Sequence, residues 1–173
     1  MDKVESTIET SCVNVRIGNR PGLILFSEQR DVDYAIKHMS SRFNVDVRTN
    51  TFPIYGHGVE GYSSVKYEKD ESKSYEGNDI TAMQALVERM RKAGFRDGMR
   101  VHLYVCYGAK QPTDPNVDFP LAQYLANALP KGTKVTSSTG RYAFDGIVNL
   151  ALGKQCLTTG DELTFTHQAG QNQ

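Results

Sequence analysis

Apolar and polar positions fall into short blocks whose period changes along the chain. Leu23-Ile-Leu-Phe26 is a continuous apolar run opened by the turn Gly18-Asn-Arg-Pro-Gly22, and its length and flanks predict a central strand. From Asp31 to Phe43 the apolar residues Val32, Ala35, Ile36, Met39 and Phe43 recur at helical spacing, with Asp31 as the expected N-cap. Val45-Asp-Val-Arg48 then leads into Thr51-Phe-Pro-Ile-Tyr-Gly56, a second strand that Pro53 marks as irregular because it cannot donate to a ladder. The tyrosine-rich, charge-dense stretch 61–77 reads as a strand or hairpin followed by a mobile loop. Ile80 to Ala93 is a helix with Asn78 or Asp79 as cap, an inward stripe of Ile80, Met83, Leu86, Val87 and Met90, and Gly94 as its stop.

Arg100-Val-His-Leu-Tyr-Val-Cys106 is the third apolar run, with Val101, Leu103, Tyr104 and Val105 fitting a strand buried on both faces. It stops at a cysteine and breaks at Gly108, before a proline-containing loop. A further helix over 119–129, a β-rich run over 133–139, a turn and strand from Gly140 to Gly146 and a last strand over 162–167 complete the pattern. Cys12 to Ile17 alternates enough for an edge strand or an irregular arm. Strand and helix alternate through most of the chain, which predicts an α/β three-layer sandwich with a mostly parallel central sheet. One domain over residues 1–173 is expected, with 1–20 and 168–173 peripheral or flexible.

Composition narrows the function classes. A chain of 173 residues can bury a core without disulfides or structural metal. The formal net charge is zero with signs interspersed, so the basic footprint of a nucleic-acid binder is missing. No apolar run is long enough to span a bilayer, and the N-terminus lacks the pattern of a signal peptide. Cys12, Cys106 and Cys156 are odd in number and far apart, which fits reduced thiols in the cytoplasm or in a chain delivered into a host or target cell without a signal peptide. Their spacing gives no metal site, and nothing implies a cofactor.

Two of the apolar runs end alike, one in Gly56-His57-Gly58 and the other in Cys106-Tyr-Gly108. Parallel sheets place their working residues at carboxyl ends of strands. If the two strands are neighbours, an imidazole and a thiol meet there, the pairing that cysteine-based acyl transfer requires. The glycines leave backbone accessible, so the amides of Gly58 and Cys106 are candidate oxyanion donors. Arg141 could hold a carboxylate of the substrate or of a partner residue. Asp145 and Asp114 are both candidates to orient His57. Taken singly, a cysteine in an apolar run is more often a buried core residue than a nucleophile, and a histidine between turn glycines can be a loop residue reaching solvent. His38, His102 and His167 receive no role.

A hydrophobic strand ending in His-Gly, then a helix, then a hydrophobic strand ending in cysteine resembles the caspase-like clan of cysteine peptidases. Within the clan, Phe119-Pro-Leu-Ala-Gln-Tyr-Leu-Ala-Asn-Ala-Leu129 followed by Lys134-Val-Thr-Ser-Ser-Thr-Gly-Arg141 is most similar to the self-processing domains of bacterial RTX-type toxins. The resemblance spans about Leu23 to Asp145. It implies His57 as base and acid, Cys106 as nucleophile, cleavage of a peptide or protein substrate after a side chain held near the sheet edge, and a bacterial effector or toxin-processing role. A binding or adhesin-like module that keeps the fold without turnover is the alternative, and a small-molecule hydrolase or transferase using the same thiol is a third reading.

Overall fold

The computed structural model describes residues 4–9, 12–67, 73–143 and 157–168, with main chain alone for 4–9, 12, 13 and 157. Strands β1 (Val4–Glu9), β2 (Cys12–Ile17) and β3 (Arg20–Ile24) precede helices α1 (Gln29–Ser41) and α2 (Phe43–Thr49) and strand β4 (Thr51–Gly56). The hairpin β5 (Ser64–Lys66) and β6 (Ser74–Glu76) leads to α3 (Ile80–Lys92), β7 (Arg100–Val105), α4 (Leu121–Ala128) and β8 (Val135–Ser138). After these come β9 (Tyr142–Ala143), β10 (Leu157–Thr158) and β11 (Glu162–Phe165).

Seven strands form one sheet in the order β1-β2-β3-β4-β7-β8-β11. The central four, β3, β4, β7 and β8, are parallel, and antiparallel strands flank them on both sides. Alternation along each strand sends successive side chains to opposite faces. Leu23, Phe52, Ile54, Val101, Leu103 and Val105 pack with Met83, Leu86 and Met90 of α3 and Leu121 and Leu125 of α4. Ile24, Phe26, Tyr55 and Tyr104 face the other way, toward Val32, Ala35 and Met39 of α1. The result is a three-layer α/β sandwich. The chain leaving β3 leads to α1 on one face, and the chain leaving β4 leads through β5 and β6 to α3 on the other. Among the described residues no helix is long and apolar enough to cross a membrane.

Several local features depart from the sequence pattern. Cys12–Ile17 is no edge strand, since β1 pairs along its whole length outside it. Val45-Asp-Val-Arg48, expected to lead into β4, lies within helix α2, which turns Asp46 inward, 3 % exposed, while Val47 faces solvent. Pro53 sits in a fully buried interior strand. It shares the parity of Tyr55, whose carbonyl accepts from Leu25 of the chain leaving β3, so its donor-less nitrogen faces β3, where pairing with β4 begins only at Leu23 and Ile54. In α3 the Asp79 carboxylate caps Ala82 N–H at 3.2 Å and Gly94 takes a left-handed φ of 116° beyond the end. Ile80, expected inward, is exposed because the buried stripe starts at Met83. The last strand ends at Phe165, after which Gln123 Nε2 donates to Thr166 O and Gln168 N–H to Asn127 Oδ1, docking the following segment on α4. The stretch 68–72, part of the expected mobile loop, and the glutamine-rich end 169–173 lie outside the described residues.

His38 of α1 is almost wholly buried and shares a 2.9 Å hydrogen bond between its Nδ1 and the Tyr55 hydroxyl. Burial pushes its pKa down to about 3, helped by the Arg42 and His102 charges. An unfolded histidine protonates near pH 6.5, so the stability carried by neutral His38 is complete above that pH and is lost as pH falls toward 3. Asp46 works in the opposite sense, since burial raises its carboxyl to about 6. Acidification from pH 7 to pH 4 is therefore expected to cost the wild type about 3 kcal/mol more than the His38→Gln protein, Asp46 being common to both. Urea unfolding of the two proteins at both pH values measures the difference.

Candidate active site

β4 and β7 are adjacent and parallel, with Gly56 opposite Val105. His57 and Cys106 are thus the next residues on two paired strands, whose axes lie about 4.8 Å apart in such ladders. Both side chains lie on the α1 face. The His57 ring packs on Phe26 with centroids 4.5 Å apart, and Cys106 packs against the cluster that holds Phe26, Tyr55 and Tyr104. Neither is sealed in the interior, since Cys106 is half-buried and the His57 side chain is 39 % exposed.

The family model described as "Domain of unknown function (DUF8616)" matches residues 22–149, about three quarters of the chain. The chain belongs to this family. The DUF8616 match takes in His57, Gly58, Cys106 and Arg141 and ends before β10 and β11. A search of curated proteins finds no match to the chain.

In this DUF8616 domain the partner of His57 is Asp31, whose Oδ2 lies 3.0 Å from Nε2. The expected N-cap role falls to Glu28, and Asp31 sits instead in the first turn of α1 with its carboxylate turned to the sheet edge. Asp114 is elsewhere, accepting from Asn116 N–H in its own loop, and Asp145 lies outside the described residues. With Nε2–H donated to Asp31, the imidazole carries its lone pair on Nδ1. A proton taken up there would place an imidazolium beside the Asp31 carboxylate.

The loops around the pair are tightly fitted. At Gly58 a Cβ would overlap the Cys106 carbonyl oxygen and come within 2.8 Å of Val105 Cγ1, so only glycine allows the chain after His57 to lie against Cys106. Among the described residues no carbonyl accepts from Gly58 N–H. Tyr107, directly after the cysteine, has φ 62°, a left-handed conformation that costs a bulky side chain of order 1–3 kcal/mol and clusters at functional turns. That turn is held by Tyr107 N–H to Gly140 O at 2.7 Å and Gly108 N–H to Val105 O at 3.0 Å. The loops are tied further out by the Lys110–Glu60 ion pair and by Thr113 N–H to Gly61 O.

On the other side of the sulfur lies β9. Tyr142 N–H points at Cys106 Sγ at 3.4 Å, and the Tyr142 carbonyl is 3.9 Å from it. Arg141 is exposed one residue earlier, its main chain paired to Thr159 and its guanidinium in no ion pair among the described residues. His102 Nε2 lies 2.6 Å from Glu162 Oε2, which also accepts from the Tyr142 hydroxyl at 2.8 Å. The His102 ring stacks on Tyr104 at 4.0 Å and Tyr104 on Tyr55 at 4.8 Å. His102 and His38, to which the sequence gives no role, both pack on Tyr104, His102 stacked on the ring and His38 edge-on from α1. Among the described residues no three His, Cys, Asp or Glu side chains are placed to hold a metal ion. The side chain of Cys12 and all of Cys156 lie outside the described residues.

Proposed function

We propose that this chain is a cysteine endopeptidase of caspase-like type that cleaves peptide bonds by acyl transfer. The observation that carries the reading is the placement of His57 and Cys106 at matching ends of two paired parallel strands, on one face, with Asp31 on Nε2 of the imidazole. His57 Nδ1 takes the thiol proton as Cys106 Sγ attacks the scissile carbonyl carbon, and the oxyanion that forms is stabilised by N–H groups of Gly58 and Cys106. Collapse of this intermediate expels the amine, which takes the proton from His57 and leaves a thioester on Cys106. Water, deprotonated by His57, then attacks the thioester carbonyl, and breaking the C–S bond returns the thiol. Asp31 stabilises the imidazolium in both halves. Arg141 would meet an acidic group of the peptide. The likeness to self-processing toxin domains supports a bacterial effector acting in a reducing compartment.

Iodoacetamide labelling resolved by mass spectrometry tests the dyad. Cys106 is expected to react near pH 7 at least about tenfold faster than Cys12 or Cys156, and His57→Ala should remove that advantage. Slow labelling at all three positions would sink the peptidase reading and leave a binding module on the same fold.

A further inference from the structure

We propose that Tyr142 is a positioning residue for the Cys106 sulfur, acting through its main-chain N–H, and that Glu162 holds Tyr142 in place through the ring hydroxyl. The inference rests on the reading of Cys106 as nucleophile and concerns how that nucleophile is prepared.

The main-chain geometry comes first. Arg141 turns its N–H and C=O toward Thr159, one bonding the Thr159 side chain at 2.9 Å and the other its N–H at 3.0 Å. Alternation along an extended strand then turns the N–H and C=O of Tyr142 the opposite way, onto Cys106. The N–H is the nearer of the two groups, 3.4 Å against 3.9 Å from Sγ. A donor at that position holds the sulfur in one rotamer and offers a hydrogen bond to the negative charge that the sulfur carries as it attacks.

The side chain fixes the main chain. Tyr142 is buried, and its hydroxyl donates to Glu162 Oε2, which His102 also contacts. His102 stacks on Tyr104, two residues before Cys106 on the same face of β7. The contacts therefore close a ring from Cys106 through Tyr142, Glu162, His102 and Tyr104 back to β7. A second tie comes from Gly140, whose carbonyl accepts from Tyr107 and whose N–H donates to Ser138 Oγ. The His102 hydrogen bond holds the Glu162 carboxyl down at about 2, while burial and the Glu162 charge push the Tyr142 hydroxyl up, so acceptor and donor keep their roles across the working pH range. The other titratable and charged groups around this arrangement are His57, just past β4, with Asp31 of α1 on its Nε2, His38 of α1 against Tyr104, and Arg42 between α1 and α2, whose charge acts on Glu162.

The test reads the pH profile of Cys106 alkylation by iodoacetamide, with far-ultraviolet circular dichroism confirming the fold. Tyr142→Phe is expected to label about tenfold more slowly near pH 7 and as fast as the wild type near pH 10, where the thiolate forms without help. Glu162→Ala should give the same change, and Glu162→Gln, which keeps an acceptor for the hydroxyl, should recover most of the wild-type rate. An unchanged profile in Tyr142→Phe would mean that the ring only fills space, and faster labelling would mean that β9 masks the sulfur; either overturns the proposal. Should Tyr142→Phe fail to fold, the pair of Glu162 variants decides by the same criterion. Alkylation reports the sulfur without requiring turnover, so a wild type with this profile but no peptide cleavage would refute the peptidase reading and leave the positioning role standing.

Discussion

Alanine at position 106 is expected to abolish peptide cleavage, lowering kcat/KM by roughly 10⁴-fold or more, because no other group described at the sheet edge can form the thioester. His57→Ala should approach the same loss, since a nucleophile and its base act as a unit and removing either removes the covalent route. The double variant should be no worse than the poorer single one. Asp31→Asn should lie between these and the wild type, about ten- to a hundredfold down, with the deficit in kcat, because Asp31 acts on the imidazole and not on the peptide. The fold should survive all three changes: Cys106 is half-buried with one main-chain neighbour on its sulfur, and His57 and Asp31 are partly solvated. Steady-state assays on a peptide library, with thermal unfolding as control, measure both quantities. Wild-type turnover in Cys106→Ala would refute the mechanism.

Gly58→Ala is expected to be the most damaging single methyl group that can be added near the site. Its Cβ would overlap the Cys106 carbonyl oxygen, which is main chain and cannot swing aside, and would press on Val105 Cγ1. Relief requires β4 and β7 to part at their carboxyl ends, where His57 and Cys106 are aligned. Overpacking of this kind costs about 1–3 kcal/mol, which for a domain of this size lowers Tm by roughly 2–12 °C. Activity should fall further than stability accounts for, because the strand shift moves base and nucleophile apart. Calorimetry and kinetics on the same preparation separate the effects, and a variant with wild-type Tm and wild-type turnover would show that the loop has room.

The parts of the fold legible in the sequence were those where burial acts on both faces of an element or along one stripe of it. β4 and β7 read as apolar runs because side chains of both parities are covered, by α1 on one side and by α3 and α4 on the other. α3 was legible from the Asp79 cap, the Met83, Leu86 and Met90 stripe and Gly94. α2 was not, because Val45-Asp-Val47 carries a two-residue alternation and Asp46, buried in the structure, is met by the charge of Arg20 from the distant β3 as well as by the local Arg42. Within the candidate site, His57 and Cys106 stood out because each follows an apolar run and precedes a glycine. Asp31 was hidden by its cap-like position before a helix. Its acidic side chain in the first turn after the strand that neighbours β4 was the available signal. Tyr142 and Glu162 gave none, since a backbone N–H carries no sequence signature and their partners lie 36, 20 and 60 residues away.

The sheet divides its own labour. One side carries most of the aliphatic core, Leu86, Leu103 and Leu125 among it, while the other carries Cys106 and the stacked rings of His102, Tyr104 and Tyr55. The sheet backbone lies between the two, so drift in the size of residues under α3 and α4 reaches the His57–Cys106 end by way of the strands. Selection acting on that first surface is expected to move heat tolerance more than it moves the surroundings of the thiol.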